Sequence, residues 1–184
     1  DMKYKRVLTS SVCISLLFGY CLVGIAQSDS QKDGKISVGA IYGLTGPQAD
    51  FSNTFKNGAL LFFAEHPSSP LGVIFEDSAW DPKQAVSAYN KLTQIDHVKF
   101  VHVMGSGTSL AIKSLSEREG VLMISAGAHP DLLKDSALVI RHANLSSRDA
   151  QTLANSVAQG SPAKIGVIYI ESEWGQNFNN SFLS

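Results

Sequence analysis

Cysteine is scarce in this 184-residue chain, and both copies fall in one place. Cys13 and Cys21 lie within the first 26 residues, and the 158 residues that follow contain none. A disulfide framework, a Cys-ligated zinc site and a cysteine nucleophile are therefore excluded beyond residue 26. An excess of positive charge is also missing. Lys3, Lys5, Arg6 and Asp1 are the charged residues of the first 26, which leaves 12 of the 15 Lys+Arg against 15 of the 16 Asp+Glu. That acidic balance argues against a nucleic-acid footprint. The histidines at 66, 97, 102, 129 and 142 are scattered, and His97 and His102 flank or enter a single strand, a poor arrangement for sharing a metal. No metal site and no cofactor are expected.

What is present begins with a leader. Lys3, Lys5 and Arg6 precede an apolar run from Val12 to Ile25, and Gly24-Ile25-Ala26 supplies small residues at −3 and −1 of a cleavage site before Gln27. This is the pattern of a secretory signal peptide over residues 1–26. The run is diluted by Ser15 and Gly19 and is short for the roughly 20 residues a membrane span needs. Two alternatives stay open, a retained anchor and acylation at Cys21, although bulky Tyr20 precedes that cysteine where lipoprotein signals have a small residue. Residues 27–34 are a polar linker, and the expected destination is outside the cytoplasm.

From residue 35 the pattern alternates strand and helix. Apolar, β-branched runs predict strands at Ile36–Tyr42, Gly72–Glu76, Val98–Val103, Val121–Ser125, Leu138–Arg141 and Ile165–Ile170. Helical spacing of Phe51, Phe55, Ala59 and Phe62 predicts a helix over 50–65. Asp81-Pro82-Lys83-Gln84 is the clearest helix start, with Asp81 as cap, Pro82 at the first helical position and Gln84 completing a capping box. That helix runs to Ile95 with Ala85, Tyr89, Leu92 and Ile95 on one face. Further helices are predicted over Leu110–Glu119, from a Ser146 cap to Gln159, and from Gly175 onward. Such alternation gives an α/β fold with a doubly wound parallel sheet. In these sheets ligands bind outside the carboxyl ends of the strands, which directs attention to loops 43–50, 77–81, 104–109, 126–130 and 171–175.

Gly105-Ser106-Gly107-Thr108-Ser109 reads as a turn between a strand and a helix. Free N–H groups at the helix start, with the hydroxyls of Ser106 and Thr108, suit an anion such as a carboxylate. The same residues are equally an ordinary capped turn. They are neither a dinucleotide fingerprint nor a P-loop nor a nucleophile elbow: Leu110 takes the third glycine position, no Gly-Lys-Ser/Thr follows, and Met104 precedes Ser106 where a glycine is needed. In the next loop Gly127 and Ala128 allow a ligand to reach the backbone, so that the Gly127 carbonyl can accept from an ammonium, and His129 adds a ring. Phe51, Trp80 and Trp174 follow strand ends, where aromatics wall small-molecule clefts. No nucleophile–base pair emerges, so an enzyme is not expected.

Several stretches together resemble the type 1 periplasmic solute-binding proteins, the leucine/isoleucine/valine-binding branch above all. They are Ile36 to Pro47 (ISVGAIYGLTGP), Phe55 to Ala59 (FKNGA), Glu76 to Val86 (EDSAWDPKQAV), Gly105 to Ser109 (GSGTS), Gly120 to Ser125 (GVLMIS), Ile165 to Ile170 (IGVIYI) and Trp174 to Gln176 (WGQ). The resemblance implies a two-lobed protein that closes on its ligand, with 35–145 as an incomplete first lobe, a hinge near Arg141 to Ser146, and 146–184 as the start of a second lobe of a longer protein. It implies an extracytoplasmic binding component of an ABC importer that captures an amino acid or a related small polar or carboxylate ligand and delivers it to a permease in the inner membrane. It also implies the roles of individual residues. Ser106 and Thr108 hold the carboxylate, Gly127 with Ala128 offers backbone groups, and Phe51 and Trp174 wall the cleft. His129 stands where amino-acid binders often present a threonine. Some members place a disulfide at the positions of Trp80 and Gly105. The same fold also serves as the ligand-sensing domain of receptors and regulators, which remains the alternative.

Overall fold

The computed structural model describes residues 34–160 and 164–184; the leader and all of the linker but Gly34 lie outside the described residues. In chain order the elements are β1 (Ile36–Tyr42), α1 (Ala49–Glu65), β2 (Leu71–Asp77), α2 (Pro82–Asn90), β3 (Phe100–Val103), α3 (Ser106–Glu119), β4 (Leu122–Ser125), β5 (Val139–Arg141), α4 (Ser146–Gln159) and α5 (Glu173–Leu183). The strands form one parallel sheet in the order β2-β1-β3-β4-β5. Chain order reverses where β1 meets β3, which is the topological switch point of such a sheet.

Side chains alternate across the sheet with a period of two. Ile41, Val101, Val103 and Met123 pack with Ala85, Tyr89, Leu92 and Ile112 of α2, the turn that follows it, and α3. Full burial of each large apolar side chain contributes about 1.5–3 kcal/mol. On the opposite face Ala40, Tyr42 and Met104 cluster with Val73, Phe75 and Trp80. Lys56 of α1 lies over the Phe75 ring, 5.4 Å from its centroid. Phe51, Phe55 and Phe62 of α1 stay exposed, so the helical spacing is real while its apolar stripe is uncovered by the described residues.

The helix start at Asp81 forms, but only half of the expected capping box does, because Asp81 N–H donates to Ser78 C=O rather than to the Gln84 side chain. Asp81 Oδ1 accepts from Gln84 N–H at 2.8 Å, and Pro82 occupies the first turn. The expected face is interrupted further on. Residues Lys91–Ile95 form a π turn, with Asp96 N–H donating to Lys91 C=O. The wider turn rotates Ile95 away from the core, where it is exposed, while Val98 is buried.

Three expectations need correction. Residues 106–109 are the first turn of α3 rather than a turn before it, because Gly105, at φ +93°, makes the reversal alone. Ser146 does not cap α4. Leu145 holds the N-cap position, and the Ser146 hydroxyl is engaged by Ala128 C=O and Asn177 Oδ1. Ile165–Ile170 is not a strand, since no neighbouring strand pairs with it among the described residues and its side chains are exposed. A parallel strand exists only through its neighbours' hydrogen bonds, so an apolar β-branched run is not enough.

Candidate functional site

The carboxyl ends of β1, β3 and β4 converge on one rim. At β2's end, Asp77 fastens two loops of that rim together. Its Oδ1 accepts from Leu44 N–H at 2.8 Å, Thr45 N–H at 3.3 Å and Ala79 N–H at 2.8 Å, and its Oδ2 accepts from the Thr45 hydroxyl at 2.6 Å. Burial pushes the Asp77 carboxyl up, but the Thr45 hydroxyl and the three N–H groups outweigh it and hold the group below its ordinary range.

Trp80 fills the space between loops. A Cβ on Gly43 would stand 1.9 Å from Trp80 Cδ1, and one on Gly105 would stand 2.5 Å from Trp80 Cζ3. Only bare backbone permits this approach. Phe51 also approaches the indole, ring centroids 6.3 Å apart.

β3 leads through Gly105 into α3, whose first-turn amides at residues 106–108 have no intrahelical acceptor. Ser106 is buried, and its Oγ accepts from Ala128 N–H at 3.1 Å. That bond uses a lone pair and leaves the Ser106 O–H free to donate. Thr108 is buried more deeply, and its hydroxyl turns back toward the carbonyls of Met104 and Gly105. Below the rim Gly127 N–H donates to Ser125 Oγ at 2.9 Å, and Ser125 Oγ–H donates to Ser109 Oγ at 2.7 Å. This serine chain fixes the Gly127–Ala128 backbone against α3. His129 Nδ1 accepts from Asp131 N–H at 3.2 Å, which starts the 3-10 turn Pro130–Leu132.

Ser106, Gly127 and Ala128 are thus brought together, with Phe51 beside Trp80 at the β1 side. Trp174 lies on α5, half exposed and packed on Phe178 at 5.3 Å, with no ring contact to Phe51 or Trp80 among those described. Sequence reasoning missed Asp77 as the fastener, for which its position at a strand end followed by Ser78 and Ala79 was the only local signal. It also missed Glu173, whose carboxylate approaches Gly107 of α3.

A second cluster lies near the carboxyl ends of β1, β3 and β5. His102 of β3 and His142, just after β5, place their Nε2 atoms 2.8 Å apart with stacked rings, and Tyr42 meets His102 edge-on at 5.3 Å. Burial, and then the His142 charge, lower His102 to about 4.

Comparison with known proteins places these features in context. A family model described as Periplasmic binding protein matches residues 35–183. The leucine-specific-binding protein of Salmonella typhimurium is 30% identical over 172 residues, covering 87% of this chain and 46% of the relative. The Leu/Ile/Val-binding protein of Escherichia coli is 28% identical over 165 residues, covering 84% of this chain and 44% of the relative. The chain therefore spans about half the length of these curated relatives. Among solved structures, a leucine-binding protein from Thermotoga maritima superposes with a TM-score of 0.70 at 18% identity, over 80% of this chain and 44% of that one. An ABC-transporter solute-binding protein from R. palustris in complex with 4-hydroxybenzoate gives 0.71 at 20% identity, over 81% of this chain and 42% of that one.

Proposed function

Because the chain belongs to the periplasmic binding protein family, which binds rather than transforms its ligands, we propose that it is the ligand-recognising part of an ABC-importer solute-binding protein. Its ligand is an amino acid or a related small carboxylate. The protein works in the periplasm and hands its ligand to a permease.

One observation carries this reading. At the β1–β3 switch point the free amides of residues 106–108 and the unengaged Ser106 O–H face the same rim as the Gly127–Ala128 backbone. A carboxylate is favoured at such a helix start by charge and by hydrogen bonds. The Gly127 carbonyl then accepts from an ammonium a few bonds away. Thr108 holds the helix start in shape through its hydroxyl and adds its N–H to the carboxylate. Phe51 and Trp174 supply apolar walls, and His129 shapes the loop that carries Ala128. Closure proceeds by rotation of the segment after residue 146 about a hinge at 141–146, and no bond is made or broken.

The ligands of these relatives, leucine, isoleucine, valine and 4-hydroxybenzoate, all carry a carboxylate. Calorimetry of the full-length protein against amino acids, their amides and small aromatic acids tests the reading. Binding at micromolar or tighter affinity is expected, weakened about tenfold by Ser106→Ala, the cost of one charge-assisted hydrogen bond. Absence of binding across the whole panel sinks the proposal.

A further inference from the structure

The loop from β4 to β5 has the rim of the candidate site at its start, and two side chains of α3 hold its middle and its far end. Lys113 Nζ donates to Asp131 C=O at 2.6 Å and also to Lys134 C=O, so an ammonium satisfies carbonyls at and just past the 3-10 turn Pro130–Leu132. Glu117 lies one helical turn further along the same face of α3. Its Oε1 alone accepts from both the Ser136 hydroxyl and Leu138 N–H, the latter at 2.8 Å. Those two donors, with the Lys113 charge nearby, hold the Glu117 carboxyl below its ordinary range. At neutral pH it is therefore an acceptor only.

These contacts bear on the rim. The amides of residues 106–108 and the Gly127–Ala128 backbone belong to different elements, and a ligand that spans them needs both held to within about 0.5 Å. Ala128 is joined directly to α3 by one bond, its N–H to Ser106 Oγ at 3.1 Å. Leu132, in the turn that Lys113 holds, is buried in the same cluster as Ile112 of α3. It also lies against Gly127, since a Cβ on that glycine would stand 2.7 Å from Leu132 Cδ1. Whatever seats this turn on α3 therefore sets the depth of the Gly127–Ala128 backbone beside the helix start.

We propose that Lys113 and Glu117 are positioning residues of the ligand site. Without touching the ligand, they seat the β4–β5 loop on α3 and fix the spacing between the helix start and the Gly127–Ala128 backbone. The inference rests on the cleft described under the proposed function.

The test compares the full-length wild type with Lys113→Met, Glu117→Ala and Glu117→Gln. K113M removes the ammonium but keeps a long side chain, and E117A removes the acceptor. E117Q keeps it, because both donors meet one oxygen that a carboxamide retains. Each protein is titrated with L-leucine and with 4-hydroxybenzoate. In K113M and E117A the loop is expected to hold the binding geometry in about one molecule in ten, which weakens whichever probe binds about tenfold. E117Q is expected to bind as wild type does. Amide exchange of the ligand-free proteins is the second readout. The Ala128 amide should exchange faster in K113M and E117A and at the wild-type rate in E117Q, while Val101 and Val103 of β3 keep their wild-type rates. Unchanged affinity in K113M and E117A overturns the proposal, as does an equal loss in E117Q. A loss of affinity accompanied by equally accelerated exchange at Val101 and Val103 also overturns it, because that marks a general loss of stability. If wild type binds neither probe, the cleft reading fails, and exchange alone decides whether the two residues seat the loop. Acceleration at Ala128 confined to K113M and E117A then supports the seating, and identical exchange overturns it.

Discussion

The indole of Trp80 covers the backbone of Gly105, and a single added carbon on that glycine would stand 2.5 Å from Cζ3. Gly105 also has φ +93° and ψ +146°, close to a region essentially confined to glycine, which costs an L side chain about 1–3 kcal/mol. Gly105→Ala thus incurs both backbone strain and a clash with Trp80 and Thr108. A loss of about 3 kcal/mol is expected from overpacking and strain together. Urea unfolding of the full-length protein measures it, and a loss below about 1 kcal/mol would mean that Trp80 moves aside freely.

Asp77 ties the β1 and β2 loops, and four groups donate to it. Asp77→Ala leaves those donors to water or to nothing and should cost about 2 kcal/mol. The pH dependence has a definite sign. The folded carboxyl lies below its ordinary value of 3.8. Its contribution is therefore complete above that value and is lost as pH falls through the lower folded pKa. Wild type should lose more stability than Asp77→Asn on acidification below about pH 4. Parallel acid-unfolding curves of the two proteins would contradict the assignment.

His102 behaves in the opposite chemical sense. Burial keeps its ring neutral, with a folded value of about 4 against the ordinary 6.5. Between those values the unfolded chain binds a proton that the folded chain refuses. Stability therefore falls as pH drops from 6.5 toward 4 and is undiminished above 6.5. His102→Gln should flatten this slope in urea midpoints taken across the window, while His142, its ring partner 2.8 Å away, is retained. An identical slope in both proteins would show that other groups carry it.

Features governed by a few consecutive residues were legible in the sequence. Asp81-Pro82-Lys83-Gln84 starts α2 by local chemistry alone, and Asp81 accepts from Gln84 as expected. Strands β1 to β5 were readable because each is a short apolar run with a turn signal after it. What depends on distant neighbours was not readable. Ile165–Ile170 has the composition of a strand but lacks a paired neighbour among the described residues. His102 and His142 are 40 residues apart, and only the order β3-β4-β5 brings their rings together. Ser106, Gly127 and Ala128 were legible as strand-end residues. The Thr108 hydroxyl turns inward because the carbonyls of Met104 and Gly105 lie within its reach, a preference that spacing alone does not reveal.

The position of β1 inside the sheet, between β2 and β3, has a consequence for how the molecule is made. Val38 pairs with Val73 on one side and with Phe100 on the other, 35 and 62 positions later. β1 must therefore wait for chain not yet translated before both its edges are closed. Assembly led by such long-range parallel pairing is slow, and it leaves an apolar edge open meanwhile. Until residue 103 has emerged, one edge of Ile36–Tyr42 stays open to mispairing.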